Sequence, residues 1–473
     1  MAMASFFRPV TDPDFWWQVR TGEWIAAHRS LPSHDLYTYT VSGHPWHDYE
    51  ALPEVIMWWL FDHGGLVAIS VAYGLLLCAG LAVLIQLARM TRPHYVALSV
   101  AVVAGVLAGA PVWGPRVQAV SFVLTCVTLL LLHRHLDGRR RALLWLPPLA
   151  ALWANLHPGW LALLGLVGLA MAATAPALLV PGTRRPALVR LRDLALAGAA
   201  SAAAVLLNPL GAEEYPASIA PLISPAQHRL IEEWQPPNLA DPHLWPLVAF
   251  IALVLLGIAI GRVGAFRGLT ALATIALALI SARDIPLLVA AGVPVVAMGL
   301  TRVIGLLAAR VRWRERPLPA ARGAALSAVV LIAVAGIAVT AVSRQLGAER
   351  ASVRALFPVA AADWLAAHPS DGTRMFNAYD WGGYLAYRFY PRRNRRVYIF
   401  SEATVMGDAS LWRYEDIVSM RPGWREDLDR TGIDYAVLPR TSRLAGALAR
   451  TPGWRLVHHD RLAVILARTG VSR

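Results

Sequence analysis

Lysine is absent from the 473 residues, so all 44 basic side chains are arginine. Charge of either sign is scarce: charged residues make up 16% of the chain against 57% hydrophobic, with a mean hydropathy of +0.48. That balance excludes an ordinary soluble body of this length, which would need more polar surface. Cysteine is limited to Cys78 and Cys126, both inside apolar runs, so neither a disulfide framework nor a cysteine zinc site can be read. There is no P-loop, no G-x-S-x-G elbow and no H-E-x-x-H, which argues against an ATPase, an α/β-hydrolase and a zincin. No nucleotide cofactor is expected, and activation must arrive with the substrate. No internal repeat is visible. The opening MAMASFFRPV lacks the apolar stretch of a cleavable signal, so insertion is expected to begin at a later helix, or the natural start to lie upstream.

What fills the chain is apolar sequence in long runs. They fall near 64–89, 95–111, 117–133, 142–155, 158–180, 193–207, 244–261, 268–282, 285–306 and 323–343. A bilayer core takes about 20 apolar residues per helix, so about ten transmembrane helices are expected over 64–345, several of them short or tilted. The fold class is therefore an all-α polytopic membrane domain, followed by a small C-terminal α/β domain.

The net charge of +14 is a topology signal, not a nucleic-acid footprint, because the arginines cluster in short turns between apolar runs. One set of turns holds Arg89, Arg92, Arg134 to Arg141, Arg184 to Arg192, Arg262, Arg267 and Arg302 to Arg322. By the positive-inside rule that set is cytoplasmic. The sparser set, with Arg20, Arg29, Arg116, Arg229 and Arg283, is extracytoplasmic, as are residues 1–63, the 208–243 connection and the C-terminal domain. The location implied is the plasma (inner) membrane.

Residues 1–63 read as an acidic and aromatic loop lying at the membrane interface, with Trp16, Trp17, Trp24, Trp46, Trp58 and Trp59 and an amphipathic helix near 51–61. From 352 to 473 the long runs stop. Strand-like TRMF, RVYIF, DYAVLP, WRLVHH and LAVILA alternate with helical AADWLAAH and SRLAGALAR. NAYDWGGYL reads as a strand-to-helix junction in which Gly382 and Gly383 permit a tight turn.

Candidate chemistry lies on the extracytoplasmic side. In TDPDFWWQVRTGEW, Asp12 and Asp14 sit where two carboxylates can share a divalent cation or position one general base. The same residues also fit a helix cap, with Asp14 as N-cap. HPWHDYEALPE holds His47, Asp48, Glu50 and Glu54, and a carboxylate near lipid costs free energy unless paired or used. The alternative there is a helix start with Asp48 as N-cap and Glu50 in the first turn. No metal-ligating set is assigned to the histidines. Arg116 and Arg283, at helix ends, suit a phosphate through bidentate contacts, or snorkel to headgroups. Asn155, His157, Glu233 and Trp234 border the same side and suit contacts to sugar or acceptor, or interfacial anchoring.

These residues together resemble the GT-C glycosyltransferases, including the Rgt-like and dolichyl-phosphate-mannose-protein mannosyltransferase relatives. The resemblance covers most of the chain. It is carried by Asp12, Asp14, Trp16, Trp17, His47, Asp48, Glu50, Arg116, Gln118, WANLH at 153–157, Asn208, Pro209, Glu233 and Trp234. At Gln18 and Val117 the family pattern implies His and Pro, and the family's first membrane helix before the acidic loop is not in this sequence. The resemblance implies inverting transfer of a sugar from a polyprenyl-phosphate donor to a glycan, lipid or protein acceptor. Asp14 or Asp12 would be general base, with Glu50 a further catalytic carboxylate. Arg116, Arg283, Asp48, His47, Gln118, Asn155, His157, Glu233 and Trp234 would bind substrate. Two other readings stay open: a non-catalytic membrane partner using its C-terminal domain for binding, and a transporter of lipid-linked intermediates, which would need charges inside the spans.

Overall fold

The computed structural model describes residues 6–311, 339–340, 342–368, 372–391 and 395–469. Helices run in the order α1 (Asp14–His28), α2 (Ala51–Arg89), α3 (Tyr95–Ala108), α4 (Gln118–Leu136), α5 (Leu146–Ala154), α6 (Leu161–Thr174) and α7 (Arg184–Val205). After them come α8 (Glu214–Ile223), α9 (Pro225–Leu230), α10 (Trp245–Ile260), α11 (Ala265–Ile280) and α12 (Ile285–Val311). A helix lies on every apolar run from 64–89 to 285–306. The run expected at 323–343 falls largely outside the described residues.

Among the described residues, five helical stretches are long and apolar enough to cross a membrane: Ala51–Arg89, Gln118–Leu136, Pro158–Leu179, Pro242–Ile260 and Ala282–Arg310. Tyr95–Ala108 and Ala265–Ile280 are also apolar but shorter. The run at 142–155 becomes a short 3-10 turn and α5 because Pro147 and Pro148 fix a new helix start there.

The chain divides into two compact units. The first comprises Met1–Arg8, Ser70–Gly211 and Glu233–Gly347 and is a bundle of apolar helices. Its inner faces bury Leu247, Phe250, Val254 and Leu288, while Leu107, Leu255, Leu256 and Leu272 stay exposed. A helix apolar on all sides suits lipid on one side and protein on the other. Small residues bring backbones together, since apolar helices gain little by hiding from lipid. A Cβ on Gly257 of α10 would lie 2.6 Å from the carbonyl oxygen of Val295 on α12, and one on Gly299 2.6 Å from the Cα of Gly257.

The second unit gathers Pro9–Ile69, Ala212–Glu232 and Ala348–Arg473. Its sheet has the order β2-β1-β3-β5-β4, from β1 (Arg374–Asn377), β2 (Arg396–Val397), β3 (Tyr435–Pro439), β4 (Trp454–His459) and β5 (Ala463–Arg468). β2, β1 and β3 run parallel, while β5 is antiparallel to β3 and to β4. Beyond β2 the sheet is extended by residues from the start of the chain: Thr38 bridges Val397, the N–H of Val397 donates to Tyr37 at 3.2 Å, and that of Tyr39 to Val397 at 3.3 Å. An otherwise open edge is thereby paired.

The core of this unit is α1. Every residue from Phe15 to Gly22 is buried. Trp16 meets Tyr384, Phe357 and Phe61 edge-on with centroids 5.0, 5.7 and 6.1 Å away, and Trp17 meets Trp46 and Phe400 at 5.8 and 5.9 Å. Each such pair adds about 0.5–1.5 kcal/mol beyond area burial. Trp16, Trp17 and Trp46 therefore serve as core, whereas Trp59 is exposed. The tight turn expected at Gly382 and Gly383 is a correction. Both glycines are helical, in Gly382–Phe389, and what demands Gly382 is close approach: a Cβ there would sit 2.0 Å from the carbonyl oxygen of Ile399. Gly382→Ala should therefore lower the apparent Tm of the full chain, by about 1–3 kcal/mol of stability. Gly446→Ala, where a Cβ meets open space, should leave it unchanged or slightly raised; thermal unfolding of both variants checks this.

Candidate functional site

Asp12 is buried, and its Oδ1 accepts the backbone N–H of Asp14 at 3.0 Å. The N-cap of α1 is Pro13, with no side-chain cap, so Asp14 is the first helical residue and not the cap. The proline has φ of −60° and already sits in the helical region, which moves the helix start forward. Asp14 is half-buried, and its Oδ1 accepts the indole N–H of Trp17 at 3.2 Å. A carboxylate in that first turn is favoured by the helix dipole.

The second acidic group differs from its expected cap geometry in the same way. Asp48 accepts the backbone N–H of Glu50 at 3.1 Å, and α2 begins only at Ala51. Glu50, 8% exposed, accepts from the amide Nε2 of Gln18 at 2.8 Å. Glu54 is fully buried, and no nitrogen donor among the described residues reaches either of its oxygens or Oδ2 of Asp48. Glu402 caps the helix Ala403–Val418 by accepting the N–H of Thr404 at 3.1 Å. Burial pushes the Asp48 carboxyl up to about 6. Burial, with Asp48 nearby, pushes Glu402 up to about 7. Close to Asp12, the Asp380 carboxyl is raised by burial and then by Glu232 and Asp12. His47 is exposed. No three His, Cys, Asp or Glu among the described residues are arranged to hold a metal ion.

The two candidate arginines, Arg116 and Arg283, lie in the helical unit. Arg116, in the turn before α4, pairs with Glu233 of the Glu232–Trp234 turn. Arg283, in the Ala282–Asp284 turn before α12, lies with its guanidinium 4.1 Å from the ring centroid of buried Trp234. Ser281 donates to the carbonyl of Glu233 at 3.1 Å, and the N–H of Ala282 to that of Gln235 at 3.1 Å. These bonds fix both turns together. Arg116, Arg283, Glu233 and Gln118 line a small cleft whose apolar wall includes Trp113 and Phe122. Burial raises the Glu233 carboxyl, but Arg116 and Arg283 outweigh it, leaving the group below its ordinary value and ionised.

His157 is buried. Its Nδ1 accepts the N–H of Gly159 at 3.0 Å and stands 2.8 Å from the hydroxyl of Ser121, which itself accepts the indole N–H of Trp153 at 2.9 Å. An Nδ1 that accepts puts the proton on Nε2. Burial, then Arg283 and Arg116, pushes the imidazole down to about 3, so it stays neutral. Asn155 donates its amide to Ala151 and to Leu207, both at 2.8 Å, which ties the end of α5 to the end of α7. The structure thus brings Arg116, Gln118, Glu233, Trp234 and Arg283 together in one unit. Asp12, Asp14, Asp48 and Glu50 fall in the other. Sequence reasoning missed Glu402 and Ser121. Nothing in the local sequence around Glu402 marks it, but Ser121 lies one helical turn after Gln118, a spacing that puts both on one face.

No family model and no curated protein matches the chain. Among solved structures it is similar to ArnT from Cupriavidus metallidurans bound to undecaprenyl phosphate, at 15% identity and a TM-score of 0.54, covering 99% of this chain and 95% of that one. The apo form of that protein aligns with a TM-score of 0.53 at 16% identity, covering 99% and 96%. The archaeal oligosaccharyltransferase AglB from Archaeoglobus fulgidus, in complex with an inhibitory peptide and a dolichol-phosphate, aligns with a TM-score of 0.52 at 12% identity, over 91% of this chain and 66% of that one.

The raised carboxyls set a pH dependence. Ionising Asp48 or Glu402 is harder in the fold than in the unfolded chain, where the ordinary values are 3.8 and 4.5. Their stabilisation is therefore complete below about pH 4 and is lost as the pH rises through about 6 and then about 7. Asp48→Asn should flatten that loss and raise stability at pH 7.5 by about 1–3 kcal/mol, read as apparent Tm between pH 4 and 8; parallel curves for variant and parent would contradict it. The fold these features sit on, helical unit and sheet-containing unit alike, is similar over almost its whole length to that of the solved ArnT.

Proposed function

We propose that this chain is a membrane glycosyltransferase that moves a sugar from a polyprenyl-phosphate donor to an extracytoplasmic acceptor. The observation that carries the reading is the cleft lined by two guanidinium groups, Arg116 and Arg283, against one carboxylate, Glu233. Its net positive charge and apolar wall match a phosphate joined to a hydrocarbon chain. The aligned ArnT was solved with undecaprenyl phosphate and the aligned AglB with a dolichol-phosphate, which supports the same class of carrier here.

In this reading an acceptor hydroxyl attacks the anomeric carbon, its proton passes to a carboxylate, and the bond from that carbon to the phosphate oxygen breaks with inversion. Arg116 and Arg283 stabilise the charge gathering on the departing lipid phosphate, and Glu233 and Trp234 hold those arginines in place. Asp14 is the better base of the first pair: it is half-buried and first in its helix, whereas Asp12 is buried and engaged with the backbone. Glu50 positions Gln18, and Asp48, His47, Gln118, Asn155 and His157 remain candidates for substrate contacts. We take about ten helices to cross the inner membrane, with the sheet-containing domain extracytoplasmic by the distribution of arginine.

The test is sugar transfer from a panel of polyprenyl-phosphate sugars by membranes holding the full chain, with insertion checked for each variant. Asp14→Asn should lower kcat by about a hundredfold or more, and Arg283→Gln should weaken use of the donor. No transfer above empty membranes across the panel would turn the reading to a non-catalytic partner.

A further inference from the structure

The helical unit holds a second polar pocket far from Arg116 and Arg283. His133 lies along α4 from Gln118 by about 22 Å of helical rise, and Arg267 sits in the first turn of α11, whose opposite end leads into Ser281. His133, Arg267 and Thr270 line a small, partly open pocket together with the apolar Leu87, Leu129, Ala290, Ala291 and Pro294. His133 is 6% and Thr270 2% exposed. Among the described residues neither the Thr270 hydroxyl nor the Nε of Arg267 has a hydrogen-bond partner.

A guanidinium set among apolar helices is costly unless it is paired or used. Here the acid whose field reaches it is Asp137, which is exposed and forms no ion pair with it among the described residues. What the pocket offers is donors: a fixed positive charge, a buried hydroxyl and an imidazole, at the positive end of the α11 dipole. A cation finds no carboxylate in the lining, and a neutral apolar guest would leave the donors unmet. We infer that this pocket binds a phosphate group at the end of the membrane unit opposite the Arg116 and Arg283 cleft. Its apolar walls favour a phosphate carried on a lipid. The site is independent of the glycosyl-transfer reading, which assigns no role to His133, Arg267 or Thr270.

The experiment is binding of dihexanoyl phosphatidic acid, and separately of inorganic phosphate, to the detergent-solubilised full chain, with dihexanoyl phosphatidylcholine as the zwitterionic comparison. Arg267→Gln should raise Kd for phosphatidic acid at least tenfold, and Thr270→Val, which removes one hydroxyl without adding bulk, about three- to tenfold. Arg283→Gln should leave that component unchanged. Dependence on Arg267 and Thr270 with phosphatidic acid alone assigns a lipid headgroup; the same dependence with inorganic phosphate assigns free phosphate. No binding of either probe, binding indifferent to Arg267→Gln and Thr270→Val, or binding weakened only by Arg283→Gln overturns the site.

Discussion

The cost of holding a charge away from water organises this protein. In the helical unit it drives arginine to the helix ends, so that Arg116 and Arg283 sit in turns and meet there the one carboxylate, Glu233, that lines their cleft. In the sheet-containing unit the same cost acts on acids. Asp48 and Glu402 are held where burial favours the protonated form, and Glu50 stays buried by taking a hydrogen bond from Gln18. A charged group in a low-dielectric setting must pair, hold a proton or be used, and each of these residues shows one of those outcomes.

The position of Asp14 depends on this indirectly. Its helix is anchored by the buried stretch from Phe15 to Gly22 and by the aromatic contacts of Trp16 and Trp17. The carboxylate is thus carried on a rigid element at the surface of a packed core. For the base proposed above, such placement would settle its geometry before substrate arrives. The neutral His157, holding Ser121 and the Gly159 turn, gives similar rigidity beside the arginines.

Much of the architecture was legible from residue order alone. Runs of apolar sequence marked the helices because lipid demands length and leaves no room for charge. The strands of the C-terminal region were legible from their β-branched and aromatic content, and β1 to β5 fall on the five segments expected. Caps were less legible. Asp14 and Asp48 both looked like N-caps by type, yet the helices have Pro13 as cap in one case and begin only at Ala51 in the other. Such shifts depend on local torsions that composition does not specify.

By itself the sequence determined that this is a membrane protein with arginine at its turns, acidic residues near its start and a small α/β region at its end, since hydropathy and strand periodicity act locally. Only the tertiary structure decided that residues 37–39 extend the sheet beyond β2, that Trp16 and Trp17 are core, and that Gly382 lies against the backbone of Ile399. It also decided which acids share a neighbourhood, joining Glu402 to Asp48 across more than three hundred residues of chain. The physical reason is the same in each case: burial and field depend on what the folded chain brings near, and contacts so distant in sequence leave no periodic trace in it.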